Sequence, residues 1–178
     1  MSHIVVVSGN PRPGSRTSTL AVAVGEALAA GSPIEVVEVG ELGAGLLTPG
    51  DEPTAKAIRL VREADVLVVA TPTYKGSYTG LFKHAIDLID PGALLGRPVI
   101  LTATGGGDRH ALIVEHQLRP LFGFFQAHAL PSAVYAADRD FVDYRLAADP
   151  IRQRVQQAVD ELAPFVPAAA KPATIAAE

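Results

Sequence analysis

The chain of 178 residues has no cysteine and no tryptophan, a single methionine, and only 6% aromatic residues. Without cysteine there is no disulfide, no thiol nucleophile and no Cys-ligated zinc or iron–sulfur cluster, and the composition suits a reducing compartment. Positive charge is also scarce. Fifteen Lys and Arg stand against 19 Asp and Glu, a formal net charge of −4, so nothing attracts phosphodiester backbones or anionic lipid over long range. Neither nucleic acid nor a membrane is an expected partner. Apolar runs are short, at 4–7 and 66–70, far below the ~20 residues of a spanning helix. The start, Met1-Ser2-His3 before Ile4, puts no basic stretch ahead of a longer apolar segment, so no secretory signal is read and a cytoplasmic location is expected.

No repeat and no low-complexity linker divides the chain. A chain of this length buries roughly 70% of its unfolded surface, enough for one core. One domain is expected over 1–166, with 167–178 a tail that has no periodicity of its own and reads either as a frayed end or as a segment packed on a neighbouring subunit or crystal neighbour.

What is present is an alternation of short β-branched runs with helix-length segments, the pattern of parallel strands covered on both faces by crossover helices. Strands are expected at 4–8, 34–39, 65–71, 98–104 and 132–136, and helices at roughly 16–30, 53–63, 78–90, 108–128 and 149–165. Right-handed crossovers then give an α/β fold, a doubly wound five-stranded parallel sheet in a three-layer α/β/α sandwich. In such sheets ligands bind beyond the carboxyl ends of the strands, where strand order reverses. The residues that follow each strand therefore carry the functional argument.

After the first strand comes Ser8-Gly9-Asn10-Pro11-Arg12-Pro13-Gly14-Ser15-Arg16-Thr17-Ser18. Hydroxyls and two arginines at the mouth of a helix, with its unpaired N–H groups and positive dipole end, suit a phosphate. Gly9 and Gly14 have the spacing of a P-loop, but Ser15-Arg16 stands where that motif needs Lys then Ser or Thr, which disfavours a nucleoside triphosphatase. The dinucleotide fingerprint G-x-G-x-x-G is missing as well, and Glu38 is only a loosely placed ribose acid. The same loop also reads as a plain capped turn. After the third strand, Thr71-Pro72-Thr73-Tyr74-Lys75-Gly76-Ser77-Tyr78-Thr79-Gly80 suits a flat heterocycle, or else a turn capped by Ser77 or Thr79. It has no Asp for phosphoryl acceptance. After the fourth, Thr104-Gly105-Gly106-Gly107-Asp108 lets backbone approach the edge of such a ring, or is a loop before a helix capped by Asp108. A phosphate cup, a ring loop and a glycine loop on one rim match FMN.

These residues resemble the NAD(P)H-dependent FMN reductases. The resemblance lies in Gly9-Asn10-Pro11-Arg12 with Ser15-Arg16-Thr17, the run from Ala70 to Lys83, Ala103-Thr104-Gly105-Gly106 and Leu118-Arg119-Pro120, and covers roughly 3–136. In particular they are similar to the branch that supplies reduced flavin to two-component alkanesulfonate or methanesulfonate monooxygenases. The resemblance implies a flavodoxin-like fold, FMN and NAD(P)H as ligands, hydride transfer to flavin N5 without a catalytic side chain, and a flavin-dependent monooxygenase as partner. FMN would be either a tight cofactor or an exchanging substrate. By position, Ser15, Arg16, Thr17 and Ser18 would hold the phosphate, with Ser8, Asn10 and Arg12 beside them. Pro72, Thr73, Tyr74 and Lys75 would line the ring, and Thr104, Gly105 and Gly106 would close its other edge. Asn10 stands where a serine is expected.

Pro120 lacks an N–H and crowds the carbonyl of residue 116, so a kink or π-bulge is expected around His116. In the alkanesulfonate branch a tyrosine holds the matching place at a subunit interface, and His116 resembles the methanesulfonate type, with a flavin-exchange or interface role. It also reads as a plain surface residue. No metal cluster is read: His110 and His128 are taken as surface residues, His84 and Asp87 as a helix-surface pair. Leu121, Phe122, Phe124 and Phe125, with the family analogy, point to a homodimer or homotetramer. The competing functions are an FMN-containing quinone, azo or metal-ion reductase and a flavodoxin-type electron carrier, which −4 net charge and the lack of Trp fit poorly.

Overall fold

The computed structural model of the chain describes residues 2–162, 164 and 165. The expectation for the tail over 167–178 lies outside the described residues. The elements follow in the order β1 (Ile4–Ser8), α1 (Arg16–Ala29), β2 (Glu35–Glu38), α2 (Val39–Leu42), α3 (Glu52–Glu63), β3 (Val66–Pro72), α4 (Gly80–Asp87), β4 (Pro98–Gly105), α5 (Arg119–Phe124), β5 (His128–Ala129), β6 (Val134–Ala137), β7 (Phe141–Val142), β8 (Arg145–Leu146) and α6 (Asp149–Asp160). Strands β2, β1, β3, β4 and β5 lie side by side in that order, β6 also pairs with β4, and every pairing in this sheet is parallel.

The sheet therefore has six strands where five are expected. The strand expected at 132–136 is β6, and β5 ahead of it is the additional strand. His128–Ala129 pairs with Pro98–Val99, and Val134–Ala137 pairs with Thr102–Gly105 farther along the same edge. Pro131 lies between them and donates no N–H, which interrupts the ladder there. The doubly wound, flavodoxin-like α/β architecture is otherwise the expected one.

Alternate residues of the strands feed two cores. Val5, Val7, Leu67, Val69, Val99 and Leu101 face α3, α4 and α5 on one side, while Ile4, Val6, Val66, Val68 and Ile100 face α1 and α6 on the other. Both faces are covered, which is why these strands read as continuous apolar runs rather than as alternation. Among the described residues no helix is long and apolar enough to cross a membrane.

Side-chain caps set the starts of α1, α3 and α4. Ser15 accepts from the Ser18 N–H, Asp51 from the Thr54 N–H and Thr79 from the Phe82 N–H. The helix expected over 108–128 is not continuous, and the π-bulge expected around His116 is present. The segment is divided into a 3₁₀ turn at Asp108–His110, a π-helical turn at Val114–Leu118 and the short α5. The π turn falls where Pro120 removes a helical donor, and it carries His116, whose N–H donates to Leu112 O at 2.9 Å and whose side chain is exposed.

Arg119 fastens this turn. It donates to both carboxylate oxygens of Glu115, at 2.6 and 3.0 Å, and to the carbonyls of Ala129, Leu130 and Pro131. The Arg119 hydrogen bond holds the Glu115 carboxyl below the ordinary glutamate value of 4.5, against partial burial. A depressed folded-state value means that the bridge contributes fully above pH 4.5 and is lost as pH falls through the lower folded value. Glu115→Gln is thus expected to lower the melting temperature by a constant amount from pH 7 to about 5, with the deficit closing below about 4.5. A deficit that persists unchanged in acid would show that the carboxylate charge contributes nothing.

Of the four residues expected to meet a second subunit, Phe122 and Phe125 are buried in the protein's own core and Leu121 packs against it; only Phe124 stays largely exposed. The expected His84–Asp87 pair is also absent. Asp87 bonds Lys83 at 2.5 Å, and His84 Nε2 lies 2.9 Å from Leu46 O.

Candidate functional site

Strand order reverses between β1 and β3, and the carboxyl ends of β1, β3 and β4 step along one rim, with Ser8 opposite Ala70 and Pro72 opposite Thr104. Beyond them lies a cleft of about 430 Å³, lined by Asn10, Arg12, Pro13, Gly14, Ser15, Arg16, Thr17, Pro72, Thr73, Tyr74, Thr104, Gly105, Gly106, Asp138 and Tyr144. That volume lies within the ~300–1,000 Å³ of small-molecule sites. A cleft of about 930 Å³ between α3 and α4 is larger, but it lies away from the strand rim and gathers none of these loops.

The first loop is braced from within. Asn10 Oδ1 accepts from the Arg12 N–H at 2.9 Å, Asn10 Nδ2 donates to Thr17 Oγ1 at 3.3 Å, and Thr17 Oγ1 lies 2.7 Å from Thr104 Oγ1. This chain of buried polar groups joins the β1 loop to the end of β4. Gly14 turns the loop at φ +62°, a left-handed conformation that glycine adopts without strain. Its effect is to leave the first N–H groups of α1 and the Arg16 guanidinium facing the cleft.

The second loop is a tight turn. Tyr74 and Ser77 exchange main-chain hydrogen bonds at 2.9 and 3.2 Å around Lys75 and Gly76, both at positive φ, the geometry of a two-residue hairpin. Tyr74 is thereby presented at the cleft with half its surface exposed, and Ser77 Oγ donates to Gln117 Oε1 of the π turn at 2.9 Å. Thr73 donates to Thr104 O through both its N–H and its hydroxyl, at 2.7 and 2.9 Å.

The glycine loop is held by Tyr135, whose hydroxyl donates to Gly107 O at 2.7 Å. A Cβ on Gly105 would come within 2.4 Å of that hydroxyl, whereas one on Gly106 would meet nothing within 4 Å. Gly105 therefore serves the packing, and Gly106 leaves main chain open to the cleft. Burial, and then the carboxylates of Asp108, Asp138 and Asp140, push the Tyr135 hydroxyl upward, so it remains a donor throughout the neutral range.

Eleven of the fourteen expected site residues line this one cleft; Ser8, Ser18 and Lys75 do not. Ser8 is wholly buried at the end of β1. Ser18 sits a helical turn behind the loop, where its hydroxyl donates to Glu38 of β2. Lys75 is exposed at the tip of its turn. Two residues of the lining were not expected at all, Asp138 and Tyr144. The ring centroid of Tyr144 is 4.8 Å from Arg16 Cζ and Asp138 Oδ1 is 3.7 Å from Arg16 Nη1.

The donor set fits a phosphorylated planar ligand. Arg16 Nε is shielded from solvent and has no hydrogen-bond partner, a charged donor left available to a ligand in the cleft. The N-terminus of α1 adds unpaired N–H groups, and Tyr74 with the open main chain at Gly106 offers one flat face and one polar edge. Among the described residues no three His, Cys, Asp or Glu side chains are grouped to hold a metal ion.

Comparison with known proteins agrees. Residues 2–141 match the family described as NADPH-dependent FMN reductase. The chain is 44% identical to the NADH-dependent FMN reductase SfnF of Pseudomonas fluorescens, over 95% of its own length and 94% of that protein's. It is also 44% identical to an FMN reductase (NADPH) of Pseudomonas aeruginosa, over 91% of each. Among solved structures, the apo form of the NADH:FMN oxidoreductase EmoB superposes with a TM-score of 0.84 at 28% identity, over 98% of this chain and 94% of that one. By fold, by rim chemistry and by sequence, the chain belongs to the NADPH-dependent FMN reductase family and is an oxidoreductase of FMN and reduced pyridine nucleotide.

Proposed function

We propose that this FMN reductase binds flavin in the cleft at the ends of β1, β3 and β4 and takes it as an exchanging substrate. We further propose that it hands reduced FMN to a flavin-dependent monooxygenase of the two-component sulfonate type. The observation that carries the site is the convergence of three separate loops, with an unpartnered arginine donor, on one rim at the reversal of strand order. When bound, FMN supplies the redox chemistry, accepting hydride from reduced nicotinamide at its N5.

The residues supply position and charge. Arg16 and the first N–H groups of α1 neutralise the phosphate, with Arg12 above them and the Ser15 hydroxyl as a further donor. Thr17 contributes its main-chain N–H, since its hydroxyl is engaged by Asn10 and Thr104. Pro72, Thr73 and Tyr74 flank the ring, and main chain at Gly105 and Gly106 bonds its polar edge. These residues would contribute orientation rather than an acid or a base.

The partner reading rests on the motif resemblance. Self-association as a homodimer or homotetramer is supported by Leu112 and Phe124, exposed large apolar residues on either side of the π turn in sequence. The absence of cysteine supports a cytoplasmic location. Gel-filtered protein is expected to oxidise NADH or NADPH only when FMN is added. Failure of FMN to stimulate oxidation of either nucleotide would reject the proposal.

A further inference from the structure

The guanidinium of Arg16 is gripped by two residues from outside the phosphate loop. Asp138 belongs to a 3₁₀ turn at Asp138–Asp140, and Tyr144 to the turn of the β7–β8 hairpin. The neighbouring charges are engaged elsewhere. Arg139 bonds Asp108 at 2.6 Å and lies 4.0 Å from Asp140, whose other oxygen accepts from the Ala137 N–H at 2.7 Å. Among the described residues the ion pair of Asp138 is the one with Arg16.

A carboxylate in the wall of an anion site opposes its ligand, because it both neutralises the guanidinium and repels a phosphate dianion. Stability does not explain it. The pair is 38% and 58% exposed, a setting in which ion pairs contribute little. Tyr144 is equally out of place by local rules. It and Asp143 form a two-residue hairpin turn with φ of +61° and +46°, positions where glycine or asparagine is favoured and a bulky side chain is strained. Strain of this kind persists where the side chain has a task, and here the ring lies against Arg16.

We infer that Asp138 is an internal competitor for the ligand's phosphate at Arg16, with Tyr144 fixing the guanidinium between its two partners. Together they set how tightly a phosphomonoester is held. Asp138, more than half exposed, moves to water when the phosphate arrives, and returns to Arg16 as it departs. The device suits a protein that releases its flavin rather than retaining it. The inference rests on the flavin reading of the cleft given above.

The test compares FMN with riboflavin, which has the same ring and no phosphate, by fluorescence titration of the full chain. Asp138→Asn, with Asp138→Ser as a second variant, is expected to tighten FMN about 5-fold and to leave riboflavin within about 1.5-fold. Tyr144→Gly relieves the strained turn, so it is expected to melt no lower than wild type and yet bind FMN about 3-fold more weakly. Unchanged or weaker FMN binding in both Asp138 variants overturns the inference, and so does equal tightening of both flavins. Arg16→Gln separates this from the underlying reading. If Arg16→Gln weakens FMN while the Asp138 variants change nothing, the site stands and the competitor does not; if Arg16→Gln leaves FMN binding intact, the site itself is wrong.

Discussion

Arg16→Gln is expected to weaken FMN binding by about 10- to 100-fold and to leave riboflavin binding within about 2-fold. Hydrogen bonds to a charged group are worth about 1.5–3 kcal/mol net, and about 1.4 kcal/mol is a factor of ten in affinity. Arg16 is the residue at which that energy is available. Its Nε has no hydrogen-bond partner within the chain, so a phosphate oxygen there adds a charge-assisted bond without breaking an existing one. The fold has little stake in the side chain. Its contacts with Asp138 and Tyr144 are half-exposed, so the variant should melt within about 2 °C of wild type. Loss of riboflavin binding to the same degree would mean that Arg16 shapes the ring site instead of the phosphate site.

The second large effect concerns stability. Gly9→Ala is expected to cost about 3 kcal/mol, at the upper end of overpacking penalties, and to lower the melting temperature by about 6–12 °C. A Cβ at Gly9 would lie 2.4, 2.6 and 2.7 Å from Cδ2, Cβ and Cγ of Phe82, and neither side can give way. Phe82 is fully buried on the inner face of α4. The Gly9 main chain is fixed at both ends, its N–H donating to Ala70 O and its carbonyl accepting from Thr79 Oγ1, each at 2.7 Å. Thr79 is also the cap of α4, so a shift at Gly9 loosens the start of that helix and the loop that presents Tyr74. The clash is specific to one ring, and Phe82→Leu in the same chain should recover part of the loss, a coupling that a double-mutant cycle reads directly. A Gly9→Ala protein that melts within about 2 °C of wild type would contradict this account of the loop.

These two residues also show what could be read before the structure. The strands of the central sheet declared themselves because both faces are buried, which turns them into uninterrupted Val, Ile and Leu runs. The loop after β1 stood out as a candidate anion site because hydroxyls and arginines are dense at a capped helix start, and Arg16 and Gly9 both lie in it. The segment after β6 was not legible. Strands β7 and β8 have two residues each, and the turn between them is Asp143-Tyr144, which carries none of the glycine or asparagine that marks such turns. Asp138 and Tyr144 were missed for that reason, since they reach Arg16 only through tertiary placement.

Ser18, by contrast, lies outside the cleft. Its residue type suits a phosphate donor, but three positions after the cap it has rotated behind the helix onto Glu38, and composition alone does not carry that phase. The helix expected over 108–128 carries its π turn at His116, as Pro120 implied; what the apolar spacing does not show is the separate 3₁₀ turn at Asp108–His110. Phe122 and Phe125 looked like surface awaiting a partner, yet they lie in the chain's own core.

The crystal structure of the protein with FMN tests the central claim most directly. The account predicts phosphate oxygens about 2.7–3.2 Å from the Arg16 guanidinium and from main-chain N–H groups at the start of α1. It also predicts Asp138 withdrawn from Arg16 and the ring beside Tyr74 with its polar edge toward Gly105 and Gly106. Flavin seated in another cleft, such as the groove between α1 and α6, with Arg16 still paired to Asp138, would contradict it.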